Sequence, residues 1–286
     1  MNLELFKECT KKFIAYVTSE KHAAYFTVKS YSSDLSQLHA FWHTYETTSQ
    51  KQCELSEIIP RYEQWLFAQK LSPSSIARKC SCLASLHRFF ILQGKKENLL
   101  LQRPFLIQKT PVSVHIQKLI TLFDTVQDEQ LATKYPCRDR AIIELLYATG
   151  MRCSELASLL IEDIDFEEKI MRVHGSKERM VLFGSKAHER IMLYLQHERG
   201  TYKTSEALFV SYRNTPLTSR SIQRICLMFS EILGEKKKIT PMIFRNSFAT
   251  HLLAKGADSS LVKELLGYTT TVSIEKYMRK KPCKNL

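Results

Sequence analysis

Residues 239–253 read Ile239-Thr240-Pro241-Met242-Ile243-Phe244-Arg245-Asn246-Ser247-Phe248-Ala249-Thr250-His251-Leu252-Leu253. Thr240 followed by Pro241 is a strong signal for the start of a helix, and Gly256 after Lys255 is a good stop. The pattern therefore predicts a helix over 241–255 that carries Arg245.

Further motifs lie before and after this helix in the chain. They read Tyr147-Ala148-Thr149-Gly150-Met151-Arg152-Cys153-Ser154-Glu155-Leu156, then Lys177-Glu178-Arg179 between two predicted strands, then Lys255-Gly256-Ala257-Asp258, Leu265-Leu266-Gly267-Tyr268 and, nine residues later, Tyr277. Any one of these motifs is weak, whereas five in this order and spacing are hard to obtain by chance.

Together the motifs resemble the tyrosine recombinases, the phage-integrase group, and within it the Xer-type branch. The resemblance covers 138–277, about half of the chain, with residues 147–156 as the first arginine box and 239–253 as the second. The N-terminal helices are similar to the family's core-binding domain in length and pattern only.

The predicted fold class is mainly α with a small antiparallel β-meander. Residues 1–108 show four segments with helical spacing of apolar side chains, which predicts a four-helix, SAM-like core-binding domain. Residues 112–286 are predicted to form a mixed α/β catalytic domain of the tyrosine-recombinase type. Its helices are interrupted by short strands near 164–166, 170–173 and 180–182, which predict the meander.

Composition excludes several classes of protein. The 286 residues carry 42 Lys+Arg against 29 Asp+Glu, a formal charge of +13, and are 44% hydrophobic. That content argues against disorder. No run approaches the roughly 18 apolar residues of a membrane span, and the N-terminus lacks an apolar signal region. We therefore predict a cytoplasmic protein with no membrane partner.

The positive charge is shared by both parts of the chain, +6 over 1–111 and +7 over 112–286. Two basic halves favour a polyanion such as double-stranded DNA, gripped from both sides. A basic protein without a nucleic-acid role is the alternative, and charge alone barely separates the two.

No metal or cofactor is predicted. The eight cysteines contain no C-x-x-C pair and read as reduced thiols, and His39 with His43 lacks a third ligand. Phosphate loops, G-x-S-x-G and H-E-x-x-H motifs are absent from the sequence. Phosphodiester chemistry would then depend on cations and a side-chain nucleophile.

The resemblance assigns Arg152 and Arg245 as the clamp on the scissile phosphate, a role that suits the planar guanidinium. Tyr277 would be the nucleophile that forms a 3′-phosphotyrosyl link. Lys177 would protonate the leaving 5′ oxygen, although a simple hairpin-tip lysine is the alternative. Glu155, one turn after Arg152, would orient that arginine or is an exposed helix residue.

Three site positions depart from the family pattern. Met242 stands where the family has the histidine of H-x-x-R, and a thioether cannot accept the tyrosine proton. Loss of one acid–base group costs about 10²–10⁴-fold in rate. Tyr268 replaces a histidine or tryptophan but can still donate to a phosphate oxygen, which keeps it among the predicted catalytic residues. Asn246 is a milder change from histidine.

Only nine residues follow Tyr277, fewer than the Xer pattern has. The expected tetramer on two DNA sites, formed with itself or a related recombinase, is thereby in question. For DNA contact the sequence points to two polar helix faces, which are equally compatible with solvated surfaces. The predicted DNA-binding residues are Arg78, Lys79, Arg88, Arg220 and Arg224.

Three functions follow from these features. The first is a site-specific DNA recombinase, with a role in DNA integration, dimer resolution or chromosome partition. The second is a catalytically weak or inactive DNA-binding protein of the same fold that regulates or partners an active recombinase, which Met242 and the short tail favour. The third is a relaxing enzyme similar to type IB topoisomerases.

Overall fold

The computed structural model describes residues 1–105, 111–175, 177–199, 205–232, 238–270 and 272–278. The chain divides into two compact units, Met1–Gln108 and Lys109–Leu286.

The N-terminal unit contains four helices. They are α1 (Leu3–Ser19), α2 (Tyr25–Ser49), α3 (Leu55–Ala68) and α4 (Pro73–Leu92). The start of α4 follows its sequence signals, because Ser72 Oγ accepts from the Ser75 amide at 3.2 Å and Pro73 occupies the first turn.

Aromatic side chains fill the core of this unit. Phe6, Phe13, Trp42 and Phe90 are fully buried. Phe6 lies at the centre, 5.5 Å from the Trp42 ring and 6.4 Å from the Phe90 ring. Truncating one such ring to alanine costs about 3–5 kcal/mol, so these contacts hold the helices together.

The C-terminal unit combines eight helices in the described residues with one small sheet. The helices are α5 (Ile116–Thr125), α6 (Pro136–Thr149), α7 (Cys153–Ala157), α8 (Ser185–Tyr194), α9 (Ser219–Ile232), α10 (Pro241–Ala254), α11 (Ser259–Leu266) and α12 (Val272–Met278). A short 3₁₀ turn covers Asp128–Gln130, and a π-helical turn, Leu195–Arg199, extends α8.

Three antiparallel strands form the sheet in the order β1 (Ile164–Asp165), β2 (Ile170–Val173) and β3 (Arg179–Leu182). Met171 pairs with Val181 and both are buried, whereas Arg172 and Met180 form the next pair on the opposite, exposed face. This alternation is what a meander with one face on the core requires.

Two helices of the C-terminal unit determine where the site lies. α6 is buried on almost every side and packs against α10. A second, smaller apolar cluster joins α10 to α11 and α12 through Ala249, Val262, Leu266, Ile274 and Tyr277. The carboxyl ends of α6 and α11 are thereby held beside α10 and α12.

The predicted fold class, mainly α with a small antiparallel meander, is confirmed. Thr240 does precede α10, but its side chain makes no capping hydrogen bond, so Pro241 is the local signal that the structure uses. In the described residues, no helix is long and apolar enough to cross a membrane.

Candidate active site

Arg152 lies at the start of α7 and is held by Glu155. Its backbone amide donates to Glu155 Oε2 at 2.7 Å, and its Nη1 donates to Oε1 at 2.6 Å. The Arg152 side chain is one-third exposed, whereas that of Glu155 is buried. The carboxylate therefore orients the arginine from below and leaves part of the guanidinium free to bind an anion.

Glu155 also binds Arg179, the first residue of β3. Arg179 donates from Nη2 to Glu155 Oε2 at 2.8 Å and from Nη1 to Oε1 at 3.2 Å, and its Nε donates to the Leu265 carbonyl at 2.6 Å. Burial opposes ionisation of Glu155, but the hydrogen bonds from Arg179 and Arg152 lower its pKa below the ordinary value. One buried carboxylate thus fixes two cations.

Arg245 extends from α10 and is 1% exposed. Its Nη1 donates to the Gly150 carbonyl at 2.7 Å, its Nη2 donates to the Leu266 carbonyl, and its Nε lies 3.5 Å from the Tyr268 hydroxyl. Burial lowers the pKa of the guanidinium, which nevertheless stays charged at neutral pH. Backbone carbonyls of two other segments therefore hold this arginine in place.

Gly150, which ends α6, is required for this arrangement. Its φ of +61° is in the left-handed region, and a Cβ there would lie 2.4 Å from Phe248 Cδ1. Only glycine combines that backbone angle with the close approach of α10. The Gly150 carbonyl is thereby placed where Arg245 can reach it.

Tyr268 follows Gly267, which ends α11 with a φ of +62°. The Tyr268 ring lies beneath two guanidinium groups, with Arg245 Cζ at 4.8 Å and Arg152 Cζ at 5.7 Å from the ring centre. Lys276 Nζ is 5.3 Å from the same centre. Two of the predicted site cations, Arg152 and Arg245, thus lie against Tyr268.

Tyr277 lies on α12 and is 2% exposed. Its hydroxyl oxygen is 3.1 Å from that of Tyr268, and it donates to Asn246 Oδ1 at 3.0 Å. Burial, and then the hydrogen bond with Tyr268, raise the pKa of Tyr277 well above the ordinary value for tyrosine. A protonated hydroxyl with a raised pKa is a poor nucleophile unless a neighbouring group accepts its proton.

Asn246 holds the Tyr277 hydroxyl, a role that the sequence analysis did not assign to it. Its Nδ2 donates to the Val112 carbonyl at 3.0 Å, which leaves Oδ1 facing Tyr277. Asn246 is itself buried, so this amide positions the tyrosine hydroxyl through a bond that spans 31 residues. The signal available was its place directly after Arg245, one turn from Met242.

In the hairpin between β2 and β3, Arg179 contacts the site, whereas Lys177 was the cation predicted to do so. Lys177 is exposed, and among the described residues no hydrogen bond or ion pair joins it to the residues around Tyr277. His174 bonds Asp163 at 2.7 Å instead. Arg179, which the sequence reading did not single out, is the hairpin cation that contacts the site.

Met242 lies in the first turn of α10 with 55% of its surface exposed. The structure therefore brings together Arg152, Glu155, Arg245, Tyr268 and Tyr277. In the described part of the chain, no hydrogen bond or ion pair joins Lys177 or Met242 to them.

Four of the five predicted DNA-contacting residues are exposed cations. They are Arg78, Arg88, Arg220 and Arg224. Lys79 is the exception, because it is buried and its Nζ lies 2.8 Å from Asp34 Oδ1. The expectation that Lys79 faces solvent is therefore wrong, and this lysine stabilises the packing of α4 on α2.

The cluster combines cationic side chains with two phenol hydroxyls. Two guanidinium groups and one ammonium group surround a pair of phenols, an arrangement suited to a phosphate that is attacked by a hydroxyl. Within the described ranges, no three His, Cys, Asp or Glu side chains lie together as a metal site.

Comparison with known proteins gives matches over both units. Residues 115–283 match the model of the phage integrase family, and residues 10–94 match that of the phage integrase N-terminal SAM-like domain. Tyrosine recombinase XerC of Bacillus pumilus is 33% identical over 285 residues, covering 93% of this chain and 89% of that protein. Tyrosine recombinase XerD of Chlorobaculum tepidum is 31% identical over 284 residues, covering 96% and 92%.

A solved structure gives the same result for the fold. The XerH site-specific recombinase bound to a palindromic difH substrate, in a post-cleavage complex, superposes with a TM-score of 0.75. It is 20% identical, and the match covers 91% of this chain and 78% of that one.

Proposed function

This chain belongs to the phage integrase family of tyrosine recombinases, and we propose that it cuts and rejoins duplex DNA at a specific site through a covalent 3′ link to Tyr277. The observation that carries the proposal is the chain of contacts from Tyr277 to Tyr268 at 3.1 Å and from Tyr268 to Arg245 at 3.5 Å. These contacts support a role for Tyr277 as the nucleophile and for Arg245 as the group that binds the phosphate.

Arg152 and Arg245 stabilise the negative charge that develops on the phosphate during attack. A guanidinium binds two oxygens at once and keeps its charge, which makes it effective when its position is fixed beforehand. Glu155 fixes Arg152, and the Gly150 and Leu266 carbonyls fix Arg245. This prior ordering supports a catalytic function for both arginines.

Tyr277 attacks phosphorus, and the 5′ oxygen leaves with a proton from Lys177. The covalent phosphotyrosyl link conserves the energy of the broken bond, so that a 5′ hydroxyl of another strand can reverse the step and rejoin the DNA. Because Tyr277 is buried in the DNA-free chain, binding of DNA has to expose its hydroxyl to the phosphate.

The DNA is held by both units, with residues 1–108 as the core-binding domain and 112–286 as the catalytic domain. Exposed cations on α4 and α9 contact the phosphate backbone: Arg78, Arg88, Arg220 and Arg224. Four protomers assemble on two sites, as a homotetramer or with a related recombinase. The proposed biological role is DNA integration or dimer resolution, as the resemblance to the Xer-type branch implies.

A DNA-binding protein of the same fold without cleavage is the second candidate. Met242 favours it, because a thioether neither accepts nor donates a proton at the position where the family uses histidine.

The test is a nicked suicide duplex, carrying the sequence that the protein selects from a random duplex library. A covalent protein–DNA adduct that disappears in Tyr277→Phe supports the recombinase. An intact protein–DNA complex with no adduct supports the second candidate. Recovery of the adduct in Met242→His would then identify the missing histidine as the cause.

A further inference from the structure

The proton of Tyr277 has no acceptor at the position that the family pattern provides. Met242 carries a sulfur that does not take up protons at neutral pH, and its side chain is mostly exposed. Asn246 Oδ1 accepts a hydrogen bond from Tyr277, but an amide is too weak a base to remove the proton. Some other group beside Tyr277 has to serve.

Tyr268 is the other group in direct contact with the Tyr277 hydroxyl. The two oxygens are 3.1 Å apart, within the distance at which a proton is transferred. Asn246 is fixed by Val112 with its oxygen toward Tyr277, so the Tyr277 hydroxyl is held between these two neighbours.

Cations approach Tyr268 from three of the elements around it. Arg245 on α10 places Nε 3.5 Å from its hydroxyl, Arg152 at the start of α7 lies over its ring, and Lys276 on α12 lies 5.3 Å from the ring centre. From β3, Arg179 approaches Gly267. Glu155 pairs with both Arg179 and Arg152, so Arg245 and Lys276 are the cations whose charges chiefly favour ionisation of Tyr268. The surroundings of Tyr268 thus favour a phenolate.

We propose, on the basis of the function argued above, that the Tyr268 phenolate is the general base that removes the proton from Tyr277. The Tyr277 proton, which is donated to Asn246 Oδ1 before attack, turns to the Tyr268 oxygen and passes to it as the Tyr277 oxygen bonds to phosphorus. The bond from phosphorus to the 5′ oxygen breaks, and that oxygen keeps the electron pair and takes a proton from Lys177. In religation Tyr268 returns the proton to Tyr277.

The pKa values of Tyr268 and Tyr277 are shifted in opposite directions, as proton transfer from Tyr277 to Tyr268 requires. Burial acts to raise the pKa of Tyr268, but its hydrogen bonds with Tyr277 and Arg245 and the charges of Arg245 and Lys276 bring it below the ordinary tyrosine value. The pKa of Tyr277 is raised by burial and by Tyr268. A proton therefore resides on Tyr277 until attack, and the base beside it is the readier of the two to ionise.

The first test needs no DNA. The full chain is labelled with ¹³C at the tyrosine Cζ position, and the resonances are followed by NMR as the pH is raised. We expect the resonance that is lost in Tyr268→Phe to titrate below about pH 10, the ordinary value for tyrosine. Titration of Tyr268 at or above that pH would overturn the proposal.

The second test is the single-turnover rate of adduct formation on the nicked duplex. Tyr268→Phe should lower it by about 10²–10⁴-fold at neutral pH, whereas Tyr212→Phe leaves it unchanged. The wild-type rate should fall as the pH drops through the Tyr268 titration seen by NMR, and this dependence should be missing from Tyr268→Phe. Adding Met242→His to Tyr268→Phe should recover about tenfold or more.

A Tyr268→Phe rate within about threefold of wild type overturns the proposal and leaves the recombinase assignment intact, since removal of a general base costs far more. A slower variant whose pH dependence is unchanged also overturns it, because a residue that only donates to the phosphate gives that result. If wild-type protein binds the duplex without forming an adduct, the proposed function fails and the base role fails with it, whichever phenol ionises first.

Discussion

Glu155 and Arg179 form a buried ion pair that joins α7 to β3. Their closest atoms are 2.8 Å apart and both side chains are almost fully buried, although 24 residues separate them in the chain. The same carboxylate binds Arg152 of the predicted phosphate clamp. Glu155 therefore anchors both β3 and Arg152.

Glu155→Gln should destabilise the C-terminal unit by about 3–5 kcal/mol, since it leaves buried Arg179 without a counter-charge. The pKa of Glu155 is lowered in the folded protein. The contribution of Glu155 to the free energy of unfolding is therefore fully present above the pKa of an unfolded glutamate. It is lost as the pH falls through the pKa of Glu155 in the folded protein. Urea unfolding from pH 3 to pH 7, roughly the range over which carboxyls titrate, should show this loss in wild type only.

The matched control for that substitution is Glu178→Gln. Glu178 is exposed and pairs with exposed Arg172 at 3.6 Å, so its removal should change the free energy of unfolding by about 0.5 kcal/mol or less. Equal effects of the two substitutions would contradict an anchoring role for Glu155.

Arg245→Lys should lose both stability and adduct formation despite keeping the charge. A lysine has no planar fork to reach the Gly150 and Leu266 carbonyls together, so at least one buried carbonyl loses its partner, at about 1–3 kcal/mol. Thermal unfolding and the suicide-duplex assay measure the two losses. Arg220 is exposed on α9, so Arg220→Lys should leave the unfolding temperature unchanged, and an equal shift in both variants would disprove the anchoring of Arg245.

Gly150→Ala should be more damaging than the same change at Gly256. Both glycines have positive φ, +61° and +86°, which costs an alanine about 1–2 kcal/mol. A Cβ at Gly256 meets nothing within 4 Å, whereas at Gly150 it overlaps Phe248. Overpacking adds about 1–3 kcal/mol there. Denaturant unfolding of the two variants compares them, and similar values would show that α10 can move away.

Local signals were sufficient for most of the fold. The helix start at Pro241 and the glycine stop at Gly256 depend on backbone chemistry within a few residues, and the short strands followed from alternation. Arg152, Arg245 and Tyr277 were assigned to one site by the resemblance to the tyrosine recombinases, which does not depend on local backbone signals.

Contacts between distant segments were beyond such signals. The bond from Asn246 to Tyr277 and the pairing of Glu155 with Arg179 depend on how helices and the sheet pack, which periodicity does not encode. Lys79, in contrast, does carry a local signal for burial. It lies three residues after buried Ile76 and four before buried Leu83, on the core face of α4, where Asp34 neutralises it.

Glu144→Gln should stabilise the protein at alkaline pH, the opposite of Glu155→Gln. Glu144 is buried on α6, and burial raises its pKa to about 7 despite the charges of Arg190 and Lys186. A carboxyl with a raised folded pKa stabilises the fold at low pH, and that contribution is lost as the pH rises through about 7.

At pH 8, roughly one unit above that titration, wild-type protein bears the cost of a buried charge that glutamine avoids, so Glu144→Gln should be more stable by up to about 3 kcal/mol. Toward pH 5 the advantage should shrink, because the wild-type carboxyl is then largely protonated in the folded state. Urea unfolding of both proteins across this range measures the difference. A constant difference at every pH would mean that Glu144 stays ionised, and its burial would then have to be compensated by the cations around it.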